Sequence, residues 1–160
     1  MRGANVFIIR DYPLYDARHM YVSCSTLRLQ MQAIRLLIAD DHEIFRRGIR
    51  ALIQEQEPGW EIAEVNDGRE AVAKARELKP DVAILNITIP PLSGLEACRQ
   101  IVTVSPHTKV LISTLHDSNE LFESILDAGG RGYILKTEAN RDLIMAVKAL
   151  LSNKTFRPNW

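Results

Sequence analysis

Six polar residues stand at or just past the ends of apolar runs. Asp40 and Asp41 follow Ile34–Ala39, Asn86 follows Val82–Leu85, Ser113 and Thr114 close Lys109–Thr114, and Lys136 follows Gly132–Leu135. Adjacent carboxylates are hard ligands of the kind Mg²⁺ takes, usually one or two at a time with several waters retained. The lysine offers a compact positive charge and the threonine a hydroxyl donor, both suited to phosphoryl oxygens. Taken singly, each has a plainer role. An Asp-Asp after a strand commonly caps a helix, a lysine there is commonly solvated, and Ser-Thr commonly makes a turn. Only their joint placement points to a metal-assisted site for a phosphoryl group.

Joint placement requires elements that bring those ends together. Ile34–Ala39 is a continuous apolar run, and Phe45, Ile49, Leu52 and Ile53 then fall on one helical face before Pro58-Gly59. Trp60–Val65 reads as a second strand, and Ala71, Val72, Ala75 and Leu78 as a second helix stopped before Pro80. Val82–Leu85 is the third strand, followed by a loop with Pro90 and Pro91 and a helix over Gly94–Val102. Lys109–Thr114 is the fourth strand, with a helix marked by Leu121, Phe122, Ile125 and Leu126 and ended by Gly129-Gly130. Gly132–Leu135 is the fifth, and Leu143, Ile144, Val147, Leu150 and Leu151 stripe a fifth helix. Buried strands alternating with helices predict a parallel, doubly wound α/β sheet, flavodoxin-like in the order 2-1-3-4-5. Ligands bind such sheets outside the carboxyl ends of the strands, where the polar residues lie.

Leu37-Ile-Ala-Asp-Asp-His-Glu43, Pro80-Asp-Val-Ala-Ile-Leu-Asn-Ile-Thr-Ile-Pro90 with Gly94, Leu111-Ile-Ser-Thr-Leu-His-Asp117 and Ala128-Gly-Gly-Arg-Gly-Tyr-Ile-Leu-Lys136 occur in this order. Together they resemble the receiver domain of two-component response regulators, in its NarL/FixJ-like subfamily, over residues 34–152. The resemblance implies a phosphorelay signalling module rather than an enzyme. It matches Asp40 and Asp41 to the acidic pair that holds Mg²⁺ and Thr88 to the backbone carbonyl that joins the metal. Thr114 matches the switch hydroxyl, Lys136 the phosphoryl-contacting lysine, and Tyr133 the aromatic whose rotamer reports the switch. Asn86 matches the aspartate that accepts the phosphoryl group from a histidine kinase.

That last match is a departure. A carboxylate oxygen attacks a phosphoryl group, whereas a neutral amide has no anionic oxygen to offer. Asn86 is therefore expected not to be phosphorylated, and Mg²⁺ affinity to fall with the lost ligand charge. Subfamily members usually continue into a DNA-binding domain, while this sequence stops at Asn159-Trp160. The expectation is a stand-alone receiver without direct nucleic-acid binding. It would act by contact with a sensor histidine kinase or other signalling protein, with a homodimer through the fourth helix, fifth strand and fifth helix. The alternative is a phosphorylatable phosphorelay receiver in its native form, with Asn86 a mutation. A flavin binder fits poorly, because Asp-Asp-His-Glu after the first strand repels a phosphate that helix N-termini otherwise attract. His42 and His116 lack an evident nucleophile to activate and are expected at the helix surface or pocket rim.

Composition agrees with such a module. The chain has 160 residues, 46% hydrophobic and 25% charged. Residues 34–152 carry 14 basic and 18 acidic side chains, which leaves no basic footprint for DNA or RNA. Cys24 and Cys98 form no metal-ligand spacing, which fits a reducing, cytoplasmic compartment. No apolar run reaches the roughly 18 residues that span a membrane. Residues 1–33 lack a clear period, and Val6-Phe-Ile-Ile9 is too short for a signal-peptide core. They are expected to be a poorly ordered extension or the product of an upstream start, with Met31 a candidate true start. Residues 153–160 are expected to be a C-terminal tail.

Overall fold

The computed structural model describes residues 33–158, so the expectations for the N-terminal extension lie outside the described residues. Five strands alternate with five helices. These are β1 (Arg35–Ala39), α1 (Glu43–Gln56), β2 (Glu61–Val65), α2 (Gly68–Leu78), β3 (Val82–Asn86), α3 (Gly94–Val104), β4 (Lys109–Thr114), α4 (Asn119–Asp127), β5 (Gly132–Leu135) and α5 (Ala139–Leu151). A 3₁₀ turn, Lys136–Glu138, joins β5 to α5. The strands form one parallel sheet in the order β2-β1-β3-β4-β5, the flavodoxin-like order expected.

Alternation along each strand divides the core in two. Leu37, Ala39, Ala83, Leu85, Val110, Ile112 and Tyr133 pack with α2, α3 and α4 through Ala71, Ala75, Ala97, Cys98, Ile101 and Ile125. Leu36, Ile38, Val82, Ile84, Leu111 and Ile134 pack with α1 and α5 through Ile49, Ile53, Leu143, Val147 and Leu150. Both faces are covered, which is why the strands read as continuous apolar runs.

Helix starts follow capping chemistry. Asp67 Oδ1 accepts from the Arg69 and Glu70 amides, Ser93 Oγ from Glu96, and Ser118 Oγ from Leu121. α1 and α5 are different: their N-cap residues, His42 and Glu138, make no side-chain cap. Gly94 opens α3 against the end of β3, where a Cβ would overlap the Asn86 carbonyl oxygen. That close approach fixes the backbone on which Asn86 sits.

The segment after α5 adds to the sheet edge. Asn153 takes a left-handed conformation (φ 58°) and ends the helix. Phe156 N then donates to Arg131 O at 2.9 Å, and Tyr133 N to Phe156 O at 3.1 Å. Gly132 permits this, since any Cβ there would overlap the Phe156 backbone. The open edge of β5 is thereby partly covered, an outcome sheet edges generally require.

Candidate functional site

Register brings the polar residues to one end of the sheet. Ala39 pairs with Leu85, Asn86 with Ser113, and Thr114 with Leu135. Asp40 and Lys136 therefore emerge one residue beyond their strands, while Asn86 is the last residue of a fully buried one. Asp40, Asn86 and Thr114 are each at most 2% exposed.

Asp40 is the hub. Its Oδ1 accepts from the His42 backbone N–H at 2.8 Å and lies 3.0 Å from His42 Nδ1. Its Oδ2 stands 2.7 Å from Lys136 Nζ, in a pair whose side chains are 1% and 9% exposed. No donor is aligned on Oδ2 as in a directed hydrogen bond, so charge holds this contact. The Lys136 ammonium also lies 4.6 Å from the centre of the Phe45 ring, a cation–π arrangement. Arg46 Nη1 donates to the Asp40 carbonyl at 2.6 Å. Asp40 is thus not the helix cap that a lone Asp-Asp would predict. It organises the pocket.

Asp41 is more open, with its side chain 36% exposed, and belongs to Asn86. Asn86 Nδ2 donates to Asp41 Oδ1 at 2.8 Å and points to Thr88 O at 3.4 Å. The amide must face this way, because a carboxylate only accepts. Burial pushes the Asp41 carboxyl upward. The Asn86 amide, Asp41's own backbone N–H, His42 and Lys136 outweigh it and hold the group below the ordinary carboxylate value. His42 Nδ1 lies 3.3 Å from Asp41 Oδ1, so the imidazole stands at the pocket rim between both carboxylates.

Thr114, Ser113 and Tyr133 are placed differently. Thr114 Oγ1 accepts from the His116 N–H at 3.1 Å and donates to the His116 carbonyl at 3.2 Å. Its hydroxyl thus closes a turn in its own loop, the plainer of its two expected roles, and is not directed at Lys136 or Asn86. Ser113 Oγ is 3.4 Å from the Leu85 carbonyl. Tyr133 is fully buried, its phenol donates to Asp117, and its ring lies 6.0 Å from Phe122. Burial and Asp117 raise the phenol's pKa, against a lowering by Arg157. Burial likewise drives the Cys98 thiol to about 12, leaving it an inert core donor to the Ala128 carbonyl.

Sequence reasoning did not single out Phe45 and Arg46 as pocket residues. Phe45 read as one more apolar position of α1, and nothing marks Arg46 among the charges of that helix. Asp40, Asp41 and His42 offer ligand atoms within 4.8 Å of one another, as a cation site would need. The arrangement does not fit Mg²⁺ as it stands. Asp40 is neutralised by Lys136, and the Asp41 and Thr88 oxygens converge on an amide nitrogen.

Comparison with known proteins agrees with this architecture. Residues 36–148 match the response regulator receiver domain model. The chain is 39% identical over 124 residues to the oxygen regulatory protein NreC of Staphylococcus epidermidis, a match covering 77% of this chain and 57% of that protein. The chain thus spans little more than half of such curated relatives. A LuxR-family two-component response regulator from Aurantimonas superposes with a TM-score of 0.73 at 32% identity, covering 79% of this chain and 90% of the other. The non-phosphorylated receiver domain of the stress response regulator RcsB from Escherichia coli gives 0.72 at 26%, covering 80% and 100%. The extent of the family match and the shared β2-β1-β3-β4-β5 sheet lead to one conclusion: this chain belongs to the response regulator receiver domain family.

Proposed function

We propose that this receiver transmits signals by protein–protein contact and that Asn86 keeps it from accepting a phosphoryl group. One observation carries the reading: the residue at the buried carboxyl end of β3 is an amide whose nitrogen donates to Asp41 at 2.8 Å. Phosphotransfer needs a carboxylate oxygen there to form the new bond to phosphorus as the donor's bond breaks. Asn86 has no such oxygen at neutral pH. Its partners would be a sensor histidine kinase or another cytoplasmic signalling protein. A homodimer face on α4, β5 and α5 is supported only by the exposure of Leu126 on α4 and Met145 on α5, because the Phe156–Arg157 segment covers the β5 edge and part of α4.

A second reading has an observation in its favour. Asp40, Asp41 and Lys136 are assembled around residue 86, as a phosphorylatable receiver would need. In that reading the native protein is an ordinary phosphorelay component and Asn86 a mutation. Incubation with acetyl phosphate and Mg²⁺ followed by intact-mass measurement separates the two levels. Wild type is expected to keep its mass and Asn86→Asp to gain one phosphoryl group. A wild-type gain at residue 86 would overturn the proposal. An inert Asn86→Asp variant would show that the rest of the pocket is not competent either.

A further inference from the structure

We infer that the Asn86 side-chain amide takes the place of the divalent cation, so that the pocket is assembled without metal. The inference rests on the reading of Asn86 above and adds a structural cause to it. A cation in such a pocket draws oxygen ligands from separate elements onto one point. Here one nitrogen does this. Asn86 Nδ2 carries two hydrogens and lies 2.8 Å from Asp41 Oδ1, just after β1, and 3.4 Å from Thr88 O in the β3–α3 loop. Both oxygens belong to residues that the family resemblance assigns to the metal. The other carboxylate, Asp40, has Lys136 as its counter-charge.

The amide excludes the cation sterically as well as electrostatically. Mg²⁺ binds oxygen at about 2.0–2.1 Å in near-ideal octahedral geometry. An amide nitrogen 2.8 Å from Asp41 Oδ1 fills the space such an ion would occupy. Admitting the ion requires Asn86 to turn its carbonyl inward. The NH₂ group would then lose both acceptors in a position 2% exposed to solvent, a costly state for a buried donor. The β3–α3 loop does not need the ion either. Gly68 N donates to Pro90 O at 3.0 Å and Gly94 N to Ile87 O at 2.9 Å, so neighbouring backbone holds it at both ends.

Loss of one negative charge would by itself weaken cation binding, so the test must separate charge from occupancy. Titration calorimetry with Mg²⁺ on the full chain, comparing wild type, Asn86→Ala and Asn86→Asp, does so. Alanine lacks the carboxylate just as asparagine does but leaves the space open. Wild type is expected to show no saturable heat up to about 10 mM and no change in Tm between chelator and Mg²⁺, since a ligand that does not bind cannot stabilise. Asn86→Ala should bind at least about tenfold more tightly than wild type, and Asn86→Asp more tightly still. Equal binding by wild type and Asn86→Ala would overturn the inference, because charge alone would then explain the loss. A measurement on wild type stands independently of how the variants fold. Mn²⁺ should leave the backbone amide signal of Thr88 unbroadened, and selective broadening there would also overturn the inference. Neither result depends on phosphoryl transfer: wild type that binds Mg²⁺ yet keeps its mass with acetyl phosphate contradicts this inference and leaves the proposed function standing.

Discussion

Asn86 at the end of β3 and Ser113 beside Thr114 at the end of β4 are register neighbours, yet their surroundings differ. The β1–β3 side carries a continuous polar chain that Lys136 joins from the end of β5. Lys136 meets Asp40, Asp40 meets His42, His42 lies against Asp41, and Asp41 accepts from Asn86. On the β4–β5 side the polar groups turn away from that chain. Thr114 bonds the His116 backbone, Tyr133 bonds Asp117, and Arg157 from the segment after α5 reaches Asn119 at 2.5 Å and the Phe122 ring at 5.5 Å. A receiver transmits by coupling pocket to surface. In this chain the link between the two sides is Lys136, one residue past β5, which reaches Asp40, and no side-chain bond from Thr114 or Tyr133 to Asn86 or Lys136 is present among the described residues. The pocket is therefore held by its own charges, and the surface by the post-α5 segment.

Removing the counter-charge should break the pocket side most severely. Lys136→Met leaves Asp40 buried beside an apolar chain and should cost about 3–5 kcal/mol in urea unfolding. A loss under about 1 kcal/mol would mean that the pair behaves as a solvated one. The surface side should respond to a different change. Gly132→Ala forces a Cβ against the Phe156 backbone and should cost about 1–3 kcal/mol by overpacking. Hydrogen exchange should then lose protection at the Tyr133 and Phe156 amides while the backbone around Asn86 keeps its own. Equal loss at Asn86 would dissolve the distinction between the two sides.

The smallest effect is electrostatic. Asp41 is held below its ordinary value in the folded protein, so in acid the unfolded chain binds its proton first. The stability this provides is present above the unfolded value of about 3.9 and is lost as pH falls through the lower native value. Wild type should therefore destabilise more steeply than Asn86→Ala below about pH 4, because the variant lacks the hydrogen bond to the ionised carboxylate. Parallel slopes would show that the amide contributes nothing to the depressed value.

Much of this is legible without coordinates, for physical reasons. Strands buried on both faces must be apolar throughout, so β1, β3 and β4 announce themselves, and a parallel sheet then places Asp40, Asn86 and Lys136 at one end. The outer features are harder to read. That Thr114 bonds its own loop is a local competition between hydroxyl and backbone that residue type does not decide. The 3₁₀ turn at Lys136–Glu138 brings the lysine down onto Asp40 and is too short to leave a period. Phe156 joins the β5 edge by backbone bonds, which any residue could make. Its trace in the sequence is Gly132, and that glycine reads simply as the first residue of the fifth strand.

The claim at the centre of this account is that the Asn86 amide is engaged with Asp41 and stays engaged when metal is supplied. Side-chain amide resonances of ¹⁵N-labelled protein report that bond directly. The two Asn86 Nδ2 protons should exchange slowly with solvent and hold their positions when Mg²⁺ is added. Fast exchange typical of a free amide, or a shift of both protons on adding Mg²⁺, would contradict it.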